Sequence, residues 1–212
     1  MGNNIKSKFF YKDPIKFNDK SKFFKKNKFD ISLYYKGLIS QINKINKNKL
    51  KKVSKMIINM NLKKGTLYFV GNGGSLAIAH HLRCDFGKGL IQKLNDISTM
   101  EIGANTALSS ALSNDFGFEN SFLAEFEMYN PSQKDIVILI SSSGNSKNII
   151  KLAKYCKMKN IITIGLTGFM GGELKNLTKV NFHVNLKNYP SVEIMHQLIL
   201  DSIFFEVLYS IS

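Results

Sequence analysis

Two short runs of small polar residues, each placed directly after an apolar stretch, carry the clearest chemistry in this chain. Leu67-Tyr68-Phe69-Val70 leads into Gly71-Asn72-Gly73-Gly74-Ser75, and Ile136-Val137-Ile138-Leu139-Ile140 leads into Ser141-Ser142-Ser143-Gly144-Asn145-Ser146. Each run then enters a segment with helical character. A strand, a small-residue turn and a helix together aim backbone N–H groups and hydroxyls at an anion. Either turn alone would serve equally as a tight connection with a serine N-cap. Two of them in one α/β domain point to a phosphorylated ligand at the carboxyl ends of parallel strands.

What is missing narrows the ligand. No G-x-x-x-x-G-K-[ST] string occurs, which excludes a nucleoside-triphosphate loop of that type. Leu76 stands where a dinucleotide fingerprint needs glycine, so no nucleotide cofactor is expected. The remaining donors, Asn72, Ser75, Ser141, Ser142, Ser143 and Ser146, are neutral and suit one terminal phosphate on a small metabolite.

The elements that hold these turns can be read from periodicity. Asp30 caps a helical pattern in which Ile31, Leu33, Tyr34, Leu38, Ile39, Ile42 and Ile45 lie near one stripe. A second helix runs from about 48 to 60, with Leu50, Val53, Met56 and Ile57 inward. Strands are expected at 67–70, near 97–102, at 136–140, at 161–166 and near 180–184. Helices are expected at 75–86, 105–113, 119–127, 146–158 and 191–210. This alternation predicts an α/β doubly wound parallel sheet with two N-terminal helices and a basic extension. The expected divisions are 1–29 for the extension, 30–64 for the helices and 65–212 for the ligand-binding domain.

Composition excludes several classes. Cys84 and Cys156 are the only cysteines in 212 residues, too few for a disulfide scaffold and in keeping with a reducing compartment. No spacing fits a zinc finger. The N-terminus mixes lysine with phenylalanine and has no signal-peptide core, and the late apolar stretch is interrupted by Asp201 and Glu206. A soluble, cytoplasmic protein with no membrane partner is the expectation. The net charge is +15, and residues 1–64 hold 18 of the 30 basic residues but only three of the 15 acids. Such a segment could grip nucleic acid. Its dependence on lysine and asparagine, with Arg83 the only arginine in the chain, reads instead as a solvated leader, and a nucleic-acid partner is not expected.

The motifs in order are Gly71-Asn72-Gly73-Gly74-Ser75 with His81, Asn114-Asp115-Phe116-Gly117, Ser141-Ser142-Ser143-Gly144-Asn145-Ser146 and Leu166-Thr167-Gly168. This series resembles the sugar isomerase (SIS) domain, and within it the phosphoheptose isomerase branch, from about residue 30 to the C-terminus. The resemblance implies a flavodoxin-like sheet and a homotetramer with active sites at subunit interfaces. It also implies interconversion of sedoheptulose 7-phosphate and D-glycero-D-manno-heptose 7-phosphate on the way to surface heptose. Carried over, the substrate contacts are Asn72, Gly73, Gly74, Ser75, Asn114, Asp115, Ser141, Ser142, Ser143, Ser146 and Glu193, with the serines on the phosphate.

The resemblance further implies an acid–base pair and a site for one divalent metal, zinc in the first instance. The positions concerned are His81, Asp85, Glu193 and Asp201, where the family pattern has His, Glu, Gln and His. Asp85 and Asp201 thereby inherit the acid–base roles. His81 and Asp85, four residues apart, share a helix face. Asp85 is one methylene shorter than Glu, a displacement of about 1.5 Å. Asp201 needs burial or carboxylate neighbours to lift it from about 4 if it is to donate a proton. A chain that kept the phosphate turns but lost the acid–base pair would be a sugar-phosphate sensor or an assembly adaptor. Among the other histidines, His80 points about 100° away from His81 toward surface or interface. His196 reads equally as site-lining or structural, and His183 as structural.

Overall fold

The two-residue strands β1 (Phe24–Lys25) and β2 (Lys28–Phe29) pair antiparallel at the start of the computed structural model, which describes residues 24–25, 28–94 and 97–211. The rest of the basic extension expected over 1–29 lies outside the described residues. Five strands follow: β3 (Thr66–Gly71), β4 (Ser98–Ile102), β5 (Ile136–Ser141), β6 (Ile162–Thr167) and β7 (Val180–His183). They form one all-parallel sheet in the order β4-β3-β5-β6-β7. The helices are α1 (Ile31–Ile42), α2 (Lys47–Leu62), α3 (Gly74–Gly89), α4 (Ile91–Leu94) and α5 (Thr106–Phe116), then α6 (Phe118–Met128), α7 (Lys147–Met158), α8 (Leu174–Leu177) and α9 (Tyr189–Ser210).

Side chains alternate across each strand, so one apolar run feeds two cores. Leu67, Phe69, Ile136, Ile138 and Ile140 pack on one face with Val53 and Ile57 of α2, Leu82 and Phe86 of α3, and Ile199 and Ile203 of α9. Tyr68, Val70, Val137 and Leu139 pack on the other with Phe122 and Phe126 of α6 and Ile149, Leu152 and Cys156 of α7. Helices cover both faces, as the doubly wound reading requires.

Sheet order decides where a ligand can sit. From β3 the chain moves outward to β4, then returns to place β5 on the other side of β3. That reversal between β3 and β5 is a topological switch point, where doubly wound sheets open a crevice at their carboxyl ends. Gly71 at the end of β3 lies opposite Ile140 of β5, so both small-residue turns begin at the same level.

Several boundaries move from those expected. The helix expected over 75–86 runs from Gly74 to Gly89, and α5 continues through Asn114 and Asp115, placing both on a last turn. The short helices α4 and α8 carry too few residues for a period to register. The apolar stripe of α1 is present but only partly covered: Leu38 and Ile45 pack against the core, while no residue of α1 is fully buried and Ile31, Ile39 and Ile42 are exposed. Between residues 31 and 64 all nine lysines are exposed and no acid occurs. Among the described residues no helix is long and apolar enough to cross a membrane.

Gly144 is the one residue of the second turn that nothing else could replace. Its φ is +68°, and a Cβ there would run into the Gly171 carbonyl of the neighbouring loop. Gly144→Ala is expected to cost at least about 2 kcal/mol in a urea melt; a change within 0.5 kcal/mol, on the order of a neutral surface substitution, would contradict this packing.

Candidate active site

Four helices close their first turn with their own chain: Asp30, Asn46, Asn105 and Asn188 accept from the N–H groups of Leu33, Lys49, Leu108 and Ser191. The helices that follow the two small-residue turns do not. Gly73 before α3 and Ser146 before α7 make no side-chain capping bond. Ser75 and Leu76 N–H donate to the Asn72 and Gly73 carbonyls and Ile149 N–H to Asn148 Oδ1, so what the two starts offer an anion is the first N–H of each helix and its positive end. This disfavours the plain reading of the turns as serine-capped connections.

Both helix starts line a cavity of about 310 Å³ bounded by Asn72, Gly73, Gly74, Ser75, Ser141, Ser142, Ser143, Ser146, Tyr189 and Glu193. The hydroxyls are arranged from within the turn. Ser141 Oγ accepts from Gly144 N–H at 3.2 Å and lies 3.4 Å from Ser146 Oγ, while Ser143 Oγ accepts from Asn145 N–H. Ser142 is buried and its Oγ has no hydrogen-bond partner. An unmatched buried hydroxyl is costly, and the residue that carries it lines the cavity.

Asn148 is a residue that the sequence motifs did not reveal. It is fully buried and exchanges two amide hydrogen bonds with Asn72, at 3.0 and 2.9 Å. This ties the β3 turn to α7 and fixes the Asn72 side chain. Tyr189, also unannounced by any motif, closes the cavity and packs edge-on against Phe169 with ring centroids 4.9 Å apart. Glu193 reaches the same cavity from α9. Its carboxylate oxygens occupy the space that a Cβ on Gly74 would need, 2.6 Å away, and burial raises its pKa.

The residues expected as the acid–base pair lie farther along α3 and on α9. A larger cavity, about 680 Å³, is lined by His81, Cys84, Asp85, Lys88, Gly89 and Ile91 and by Asp201, Phe204 and Phe205. His81 Nε2 and Asp85 Oδ2 are 3.0 Å apart, one turn along α3. Burial raises the pKa of Asp201, and the Asp85 charge adds to that. A hydrogen bond from Gln197 and the proximity of His81 act in the opposite direction. Burial thus shifts Asp201 toward its protonated form.

The quartet proposed for a metal does not converge within the chain. Glu193 and Asp201 are eight residues apart on one helix, about 12 Å at 1.5 Å per residue, and they open into different cavities. Among the described residues no three His, Cys, Asp or Glu side chains come together as a set that could hold a metal ion. The donors as arranged here do not fit zinc.

The remaining expected residues fall outside both cavities. Asn114 and Asp115 are exposed on α5 and bond to one another, Asn114 Nδ2 donating to Asp115 Oδ1 at 3.0 Å. His80 turns away from His81, as expected, and its Nδ1 sits 2.9 Å from the buried carboxylate of Glu101. His196 is completely buried and lines neither cavity, with its pKa pushed down to about 4 by burial. His183 ends β7, with Nδ1 3.2 Å from the Thr167 hydroxyl.

Residues 34–168 match the family model of the SIS domain. The chain belongs to the SIS domain family. Its curated relatives include phosphoheptose isomerase 2 of Campylobacter jejuni, 36% identical over 129 residues, which is 61% of this chain and 64% of that protein. The matched stretch thus spans less than two thirds of that relative's length. Phosphoheptose isomerase 1 of the same organism is 30% identical over 165 residues, covering 78% of this chain and 88% of that one. Among solved structures, a phosphoheptose isomerase from Neisseria gonorrhoeae superposes with a TM-score of 0.76 at 22% identity, over 84% of this chain and 97% of that one. The SIS fold seen here is therefore shared by structure as well as by sequence.

Ser142 separates folding from binding. Because its hydroxyl has no partner among the described residues, Ser142→Ala should leave stability unchanged or higher by up to about 1 kcal/mol. The same change should weaken sedoheptulose 7-phosphate binding at least about tenfold by calorimetry, the loss of one hydrogen bond to a charged group. Reduced stability with unchanged affinity would place the hydroxyl outside the ligand site.

Proposed function

We propose that this chain is a phosphoheptose isomerase. It interconverts sedoheptulose 7-phosphate, or a close ketose phosphate, with D-glycero-D-manno-heptose 7-phosphate in surface-heptose biosynthesis. The observation that carries the reading is the pair of uncapped helix starts around the serine-lined cavity. Supporting it are two carboxyl groups, Asp85 of α3 and Asp201 of α9, in one pocket, and the names of the relatives.

The chemistry follows from those groups. The cradle holds the phosphate with neutral donors and two helix dipoles, fixing one end of the sugar. With the ketose open, the Asp85 carboxylate takes a proton from C1 while Asp201, which burial favours in its protonated form, gives one to the C2 oxygen. The product of that step is a 1,2-enediol. Asp201 then accepts the proton of the C1 hydroxyl and Asp85 returns one to C2, leaving the aldose. His81, 3.0 Å from Asp85, holds the base in place. No step is routed through a metal.

A homotetramer is the assembly we propose, since the cradle and the acid–base pocket open separately in one chain. Ile31, Ile39, Phe205 and Tyr209 are also exposed and without cover. Sedimentation should give about four times the 24.0 kDa chain mass; a stable monomer would sink that assembly.

The test is NMR of the purified chain with sedoheptulose 7-phosphate in D₂O. Aldose should form with deuterium at C2, at a rate a chelator leaves within about twofold. Asp85→Asn and Asp201→Asn should each lower kcat by about 10² or more. No turnover with any added divalent metal, together with intact binding, would replace the enzyme by a sugar-phosphate sensor.

A further inference from the structure

Three polar side chains fall on one face of α9 at four-residue spacing: Glu193, Gln197 and Asp201. Glu193 borders the cradle and Asp201 the acid–base pocket, while Gln197 lines neither. Gln197 is nevertheless half-buried. Placing an amide there carries a desolvation cost unless it is matched. Its match is Asp201: Gln197 Nε2 donates to Asp201 Oδ1 at 2.7 Å, the only side-chain hydrogen bond either residue makes among the described residues.

That bond has a consequence for the carboxyl group. The terminal torsion of an aspartate is broad and roughly two-fold, so its two oxygens exchange places easily. A fixed donor on Oδ1 removes that freedom. Oδ2 is then the oxygen left for the pocket that Asp201 shares with His81 and Asp85. A proton carried by Asp201 is also favoured on Oδ2, because the carbonyl oxygen of a carboxylic acid is the better acceptor for the Gln197 N–H on Oδ1.

We infer that Gln197 is a positioning residue of the isomerase reaction, pinning one oxygen of Asp201 so that the other meets the substrate. This rests on the isomerase reading above. The size of the effect follows from geometry: an error of about 1 Å at a reacting group costs about 10²-fold.

The experiment compares Gln197→Met, which keeps the length without the donor, with Gln197→His, which keeps an N–H at similar reach. Gln197→Met should lower kcat by about 10- to 100-fold with KM within about threefold, and Gln197→His should recover most of that loss. Added to Asp201→Asn, Gln197→Met should cause no further loss, because the glutamine acts only through the carboxyl group. Three results would each overturn the inference. These are kcat within twofold of wild type for Gln197→Met, an equal loss for the histidine variant, or a full additional loss on the Asp201→Asn background. Absence of turnover in the wild-type chain overturns the isomerase reading and this inference together; turnover with an indifferent Gln197 overturns the inference alone.

Discussion

Two helix N-termini held uncapped, side by side, are the constraint on which the site depends. Free backbone donors at a helix start are unfavourable without a partner, and four helices of this protein satisfy theirs with an Asp or Asn. At α3 and α7 the small-residue turns supply no capping side chain. Adjacent parallel strands then bring the two starts to one level, Gly71 opposite Ile140. The two apolar cores beneath hold that alignment, and the Asn72–Asn148 pair ties the turns across the gap.

In the isomerase we propose, binding and chemistry are divided along the length of α3 and α9. The first turns of both helices meet at the cradle, where Gly74 leaves room for Glu193. Farther along the same pair, His81, Asp85 and Asp201 share the larger pocket. Rigid helices are better platforms for such groups than loops.

The cradle was legible in the sequence because its information is local. An apolar run, a glycine- or serine-rich turn and a helical period lie within about ten residues each, and pattern reasoning handles such units well. The separation of Glu193 from Asp201 was also legible in principle, since eight residues of helix span about 12 Å. Reading the four positions as one metal set passed over that distance. Asn148 and Gln197 could not be found by pattern, because a polar residue on a helix face looks solvated until its partner is known. Each partner lies across a turn boundary or along a helix, at Asn72 and at Asp201. The α1 stripe is the reverse case: the period is plain, yet among the described residues the helix buries none of its own.

The most direct test of this account is a ¹⁵N–¹H correlation titration of the protein with sedoheptulose 7-phosphate. If the uncapped helix starts bind the phosphate, the largest amide shifts will fall at residues 71–76 and 141–148 and will saturate. Shifts confined to the exposed lysines of α1 and α2, with those two turns unmoved, would contradict it.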